Sequence, residues 1–282
     1  MMSIRSRAGW TLILLGLAAA RLQAQGPATM EQERWEIADG DVGYCVQFLL
    51  DPKEALKEMQ VGYRPVSASA TDAIHPAIKR AISDEPKFAD WVPSEICTWF
   101  VGSVTTGNRK YERGDKNAPL AITWWGVAAS QGEGAWDGRY WLRMMGANSY
   151  PLVRLMQVAK LPMEKVTINA ESIRGNDLDR EYFIKFNRAT IQLTGRFTPD
   201  STEATAAPRK FIGVMPGPLQ TMWTSDFALN LDEKGTMSGS LQIFGGRGMA
   251  KELRESPIRL ISSAMHGGSG AIQFQRWSTK TR

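Results

Sequence analysis

From Val166 onward the chain repeats with a period of two, and this constrains its fold more than any other feature. Val166, Ile168 and Ala170 alternate with polar neighbours, as do Tyr182, Ile184 and Phe186. Ile191, Leu193, Gly195 and Phe197 fall on one side while Thr190, Gln192, Thr194 and Arg196 fall on the other. Side chains alternate across a β-strand, so such a pattern predicts strands with one buried and one polar face, the mark of an antiparallel sheet. Phe227, Leu229 and Leu231 are expected to lead through a turn at Asp232 to Gly235 into Met237, Leu241 and Ile243. Ile258 to Met265 and Ala271 to Trp277 are expected to flank a turn formed by His266-Gly267-Gly268-Ser269-Gly270.

The first half reads differently. Asp51-Pro52 supplies an N-cap and a proline for the first helical position, with Ala55, Leu56 and Met59 on one face. A second helix is expected from about Asp72, carried by Ile74, Ile78, Ala81 and Ile82. A third follows Ser149, with Leu152, Leu155, Met156 and Ala159 at helical spacing and Pro162 stopping it. Between them, Glu95–Thr105, Pro119–Ser130 and Tyr140–Met145 read as strands, the second nearly all apolar and so buried on both faces. The fold class is therefore mainly β (α+β): a large antiparallel barrel or cone, or a two-sheet sandwich, with about three short helices and roughly nine to eleven strands.

The N-terminus has the form of a secretory signal. Arg5 and Arg7 precede an apolar stretch from Trp10 to Ala20, with small residues at Ala24 or Ala20 for cleavage. This predicts a signal peptide over 1–24, a flexible arm over 25–40 and a single β-rich domain over 41–282, exported to the periplasm or beyond the cell. The signal carries Arg5, Arg7 and Arg21 and no acid, so its removal lowers the formal charge from +5 by these three cations. Little basic excess survives, which argues against a nucleic-acid partner. No further apolar run reaches the roughly 20 residues of a spanning helix. Cys45 and Cys97 are the only cysteines. In an oxidising compartment an even pair points to a disulfide, here closing about fifty residues and contributing roughly 2–4 kcal/mol. Two separate buried thiols are the alternative.

Catalytic signatures are sparse. His75 and His266 are the whole histidine complement, and no spacing supplies a zinc site. Gly245-Gly246-Arg247-Gly248 and Gly267-Gly268-Ser269-Gly270 match no phosphate-binding motif and read as turns. Glu133, Asp137 and Asp179 fall in expected loops, without a paired-carboxylate motif. No cofactor or metal is called for. Aromatic residues are the stronger signal: Trp99, Phe100, Trp124, Trp125, Trp136, Tyr140 and Trp141 crowd into residues 95–141, with Met144, Met145 and Met156 close by. Adjacent Trp124 and Trp125 must point to opposite faces of their strand. The cluster is either core packing or the lining of an apolar pocket.

Leu50-Asp51-Pro52-Lys53-Glu54-Ala55-Leu56, followed by Gly62-Tyr63-Arg64-Pro65-Val66, resembles the opening of acetoacetate decarboxylase-like proteins. Lys160-Leu161-Pro162-Met163-Glu164-Lys165-Val166 is similar to the Pro-Lys-Lys hairpin of that family. The resemblance implies a β-cone and, in the family, a lysine that forms a Schiff base because a neighbouring ammonium lowers its pKa. Here Lys165 follows Glu164 instead, and a carboxylate beside it raises a lysine pKa.

Three functions are consistent with this sequence. The first is a non-catalytic protein binding an apolar or weakly acidic small molecule among Trp99, Trp124, Trp125, Trp136, Tyr140 and Trp141. The second is an accessory subunit docking on an envelope protein partner through an exposed patch containing some of Trp124, Trp136 and Trp141. The third is a Schiff-base enzyme using Lys160 or Lys165, or an acid of the Glu133–Asp137 loop.

Overall fold

The computed structural model describes residues 29–278 apart from 58, 61, 72–75, 113–119, 133–135, 162, 173–178, 187–188, 200–208, 218–220, 245–250 and 252–253. Thirteen strands and three α-helices are found among the described residues. Helix α1 is Pro52–Leu56, α2 is Pro76–Asp84 and α3 is Tyr150–Val158. The strands that build the body are β1 (Thr29–Leu50), β3 (Val92–Thr106), β5 (Leu120–Gln131), β6 (Arg139–Ala147), β11 (Arg209–Gly217), β12 (Thr221–Phe244) and β13 (Ile258–Ser278). Short strands β2 (Tyr63–Pro65), β4 (Arg109–Glu112) and β7 (Met163–Lys165) pair with β5, β3 and β6.

These seven body strands run in the order β11-β6-β5-β3-β1-β13-β12, and β12 pairs back with β11, closing a ring. All of its neighbours are antiparallel except β6 and β11, which touch in parallel over Arg139–Trp141 and Ile212–Val214. The ring is not free-standing. Thr221–Leu229 of β12 pairs with β11, but Gly235–Phe244 leaves to pair with β10 (Ala189–Pro199). Strands β9 (Asp179–Phe186) and β8 (Thr167–Ser172) extend that side sheet. One large mixed sheet results, β-rich and α+β in class, in place of a simple barrel or two stacked sheets.

Local sequence explains the elements. The Asp51 carboxylate caps α1 by accepting from the Lys53 amide at 2.8 Å. Helix α3 ends with Lys160 in the left-handed region at φ 66, where the Leu161 amide reaches back to the Met156 carbonyl at 2.9 Å. This is the usual closure of a helix, with lysine in the place glycine favours. Strand β5 is buried on both faces through Ser130, as its apolar run implies. One face looks into the ring and α1 covers the other: the Arg143 guanidinium sits 4.8 Å from the Trp125 ring and donates to the Glu54 and Ala55 carbonyls.

Several expectations are corrected. Residues 29–40 are part of β1 and pair with both β13 and β3, so only the first residues of the expected arm lie outside the described chain. Trp35 and Ile37 are buried there while Arg34 and Glu36 are exposed, a period-two pattern hidden within a polar stretch. Strand β12 passes through Asp232–Gly235 as an irregularity in its pairing with β13, not a hairpin turn. The glycine-rich segment His266–Gly270 lies within β13, opposite Gly43 and Gly40 of β1. A run without large side chains carries no alternation, so turn and strand look alike there. Between the expected strands Glu95–Thr105 and Pro119–Ser130 lies a further strand, β4, which forms a hairpin with β3. Helix α2 is described from Pro76, and Asp72 to His75 lie outside the described residues.

Candidate functional site

Glu95 is the one acid buried among the described residues. It stands on β3 between Gln47 of β1 and Gly126 of β5. Its carboxylate accepts from the Trp124 indole Nε1 at 3.1 Å. Trp124 in turn reaches across the ring to Phe227, 5.5 Å between ring centres, and to Phe211 at 6.1 Å. Phe211 and Phe227 stack at 4.1 Å, and Tyr140 meets Phe211 edge-on at 5.5 Å. Side chains from β5, β6, β11 and β12 therefore meet inside the ring, and the Glu95 carboxylate sits at the margin of this aromatic interior. An anion in such a place is costly unless it accepts hydrogen bonds.

Gly126 shapes the same region. A Cβ built there would lie 3.1 Å from Tyr140 Cδ1, so the glycine is what lets the Tyr140 ring come this close to β5. A cavity of about 10 Å³ opens next to them, lined by Gln47, Phe48, Ile78, Pro93, Ser94, Glu95, Tyr140 and Ile261. That is room for one non-hydrogen atom of water size. Ser94 also lines it, but as the neighbour of Glu95 on β3 its side chain points to the opposite face of the sheet, where its buried hydroxyl has no hydrogen-bond partner among the described residues.

The six aromatic candidates separate. Tyr140 alone of them lines this cavity. Trp124 packs inside the ring. Trp136 is half-buried, meets Tyr140 edge-on at 5.7 Å and donates from Nε1 to the Arg139 carbonyl at 2.9 Å. Trp125 faces outward beneath Arg143, and Trp141 packs with Tyr63, Ala129, Val214 and Met222. Trp99 is buried in the main core. Trp124 and Trp141 are too deeply buried, and Trp136 too far covered, to present a flat exposed patch together.

Cys45 and Cys97 form a disulfide across β1 and β3, with Cα atoms 4.1 Å apart. The pair lies directly opposite in the register and two residues from Gln47 and Glu95, so it pins the two strands that carry the acid. Among the described residues no group of three or more His, Cys, Asp or Glu is placed to hold a metal, and no helix is long and apolar enough to cross a membrane.

The lysines lie elsewhere. Lys165 pairs with Ala147 and so, through β6, with Ile122, four residues along β5 from Gly126, or about 13 Å of strand. Its ammonium donates to the Asn148 carbonyl at 2.6 Å and the Val166 carbonyl at 3.1 Å. Burial lowers the Lys165 pKa, the reverse of what its neighbour in sequence suggested, and burial raises that of Glu164. Adjacent residues on a strand point to opposite faces, so desolvation outweighs attraction between them. Lys160 is exposed. Of the loop acids, Asp137 forms an ion pair with Arg139, Asp179 opens β9 instead of lying in a loop, and Glu133 lies outside the described residues, as do His75 and Gly245–Gly248.

Sequence reasoning missed Ser94, Glu95, Gln47 and Gly126. One signal was available: Glu95 is a lone acid in the otherwise uncharged run from Trp91 to Val101.

No family model and no curated protein matches this chain. Solved structures do. The acetoacetate decarboxylase-like enzyme from Sphingomonas wittichii RW1 is similar over 89% of this chain and 92% of its own, with 8% identity and a TM-score of 0.48. Acetoacetate decarboxylase from Legionella pneumophila is similar over 98% and 96%, with 9% identity and a TM-score of 0.47. The enduracididine biosynthesis enzyme MppR, complexed with pyruvate, is similar over 92% and 91%, with 9% identity and a TM-score of 0.43. The likeness to acetoacetate decarboxylase-like proteins is one of fold.

Proposed function

We propose that the chain is an exported protein that binds an apolar or weakly acidic small molecule without catalysis, with at most one atom of its polar end entering the water-sized cavity at Glu95. The single observation carrying this reading is Glu95, a buried acid at the edge of an aromatic interior, which lines a small cavity together with the apolar Phe48, Ile78, Pro93 and Ile261. Binding sites combine apolar surface with a few fixed polar groups in this way. Export is supported by the signal-like N-terminus together with the Cys45–Cys97 disulfide, since disulfides persist in oxidising compartments. Native mass spectrometry of the mature protein, purified gently from the cell envelope, tests the reading. A small-molecule mass released on denaturation, and absent from Glu95→Gln, is expected. A bare wild-type chain that also takes up no added ligand would overturn it.

A second reading is favoured by one observation: the partly buried Lys165, whose pKa burial depresses. It makes the chain a Schiff-base enzyme. Borohydride reduction with keto acids decides it, because an adduct at Lys165 that disappears in Lys165→Arg would establish this chemistry over simple binding.

A further inference from the structure

We infer that the outer face of helix α3 rests on an anionic lipid surface, an inference independent of the Glu95 reading. The helix is fixed to the body by one side, where Leu152, Val153 and Met156 are buried. The other side of a surface helix is ordinarily polar, whereas this one is largely apolar. Tyr150 is 62% and Val158 66% exposed, Pro151 is exposed beside them, and Leu155 is half-buried at the margin. Only four large apolar side chains are exposed among the described residues, and this nine-residue helix carries two of them. Gln157 is engaged elsewhere: its amide donates to the Met163 carbonyl of β7 at 3.0 Å.

Positive charge accompanies the apolar surface. Arg154 stands one helical turn from Tyr150 and one from Val158, so the three share a face. Lys160 follows just past the helix end. Both cations are exposed, and neither forms an ion pair with a described residue. No acid occurs between Gly138 and Met163. Of the four cations in that run, Arg139 is paired with Asp137 and Arg143 is held against α1 and Trp125, which leaves Arg154 and Lys160 unneutralised. The next acid along the chain, Glu164, is followed at once by Lys165.

Size and shape decide what such a face fits. Nine residues of helix span about 13 Å at a width of about 10–12 Å, a footprint of about 150 Å². A stable protein partner needs roughly 800 Å² on each side. A bilayer sets no such requirement, because it is fluid and conforms to a convex surface. Tyrosine favours the headgroup level, valine and leucine reach the acyl boundary, and an arginine between them extends its cation to lipid phosphates. Each cation near an anionic surface strengthens binding about fivefold. A contact this small is weak and reversible, so it needs both the apolar residues and the charge.

Co-sedimentation with vesicles tests the assignment on the mature disulfide-bonded protein. One set of vesicles is phosphatidylcholine alone, and the other holds equal parts of phosphatidylcholine and phosphatidylglycerol. The expected result is binding to the mixed vesicles only, lost at about 1 M salt, where screening acts within about 3 Å. Arg154→Gln and Lys160→Gln should each weaken it about fivefold. Tyr150→Ser combined with Val158→Ser should abolish it. All these variants should keep the wild-type circular dichroism, because the side chains they replace already face water. Equal binding to neutral vesicles, binding unchanged in the Tyr150→Ser, Val158→Ser double variant, or no binding to the mixed vesicles would overturn the assignment. A concentration-dependent dimer in analytical ultracentrifugation that the same double variant dissociates would also overturn it, by giving this face to a second copy of the chain.

Discussion

Gly126→Ala puts the geometry of the site to its most direct test. The added methyl would lie 3.1, 3.2 and 3.3 Å from Cδ1, Cβ and Cγ of Tyr140, against ordinary contacts of 3.4–4 Å. One of the two residues must shift by a few tenths of an ångström. Tyr140 has little freedom to do so. Its backbone is paired with Ala128 on one side and Gly213 on the other, and its ring is edge-on to both Trp136 and Phe211. Because the contact reaches Tyr140 Cβ, rotating the ring does not relieve it. Overpacking of this kind costs about 1–3 kcal/mol, which lowers a urea midpoint by about 0.5–1 M for a domain of this size. The control is the same change in a Tyr140→Ala background. There the methyl meets empty space and should be neutral or stabilising, so the double-mutant cycle should give a coupling of at least about 1 kcal/mol. Gly126→Ala within about 0.5 kcal/mol of the wild type, or an equal loss in both backgrounds, would show that Tyr140 does not lie against Gly126 as described.

The remaining predictions follow from other parts of the molecule. Replacing both Cys45 and Cys97 by Ala should lower stability by about 4 kcal/mol, from the chain entropy of a loop closed across 52 residues; reducing agent should cost the wild type the same amount and leave the variant unmoved in denaturant titration. Trp124→Phe removes the indole donor from a buried carboxylate and should cost about 1.5–3 kcal/mol, with most of the loss absent when Glu95 is already Gln. Lys160→Gly places glycine where the backbone has φ 66 and should stabilise by about 0.5–1 kcal/mol in thermal unfolding, the relieved strain exceeding the extra entropy of the unfolded chain. Glu164 reaches solvent, but partial desolvation raises its pKa, so this residue favours the folded state most at pH values below the ordinary carboxylate range, and that small contribution is lost as pH rises through its folded pKa. Glu164→Gln should therefore gain stability over the wild type at pH 7–8, with the difference vanishing near pH 4; a difference independent of pH would refute the burial argument.

What the sequence discloses, and what it withholds, divides along physical lines. Period-two alternation is a local property that each segment carries by itself, so β9 and β10 could be read directly from Tyr182 to Phe197. Capping chemistry is local too, and Asp51-Pro52 announced α1 correctly. Closure of the ring is not local. It depends on β12 changing partners between Leu229 and Gly235, from β11 to β10, and the sequence there looks like a turn because a strand that swaps neighbours needs the same small and polar residues that a hairpin does. The site is withheld for a related reason. Aromatic residues draw attention by number, yet they cohere because they pack on one another: Trp124 on Phe227, Phe211 on Tyr140, Tyr140 on Trp136.

The informative residue in such a cluster is the one that packing alone would exclude. An acid among tryptophans raises the free energy of the folded state unless something repays its desolvation. Replacing Glu95 with Leu would remove a buried polar group, and by packing logic alone that change is neutral or stabilising. If Glu95→Leu is more stable than the wild type and no longer releases a small molecule in native mass spectrometry, the carboxyl group is present for its ligand and not for the fold. If it is less stable by several kcal/mol with no change in ligand uptake, the carboxylate belongs to the scaffold, and its bond from Trp124 is the reason it is there.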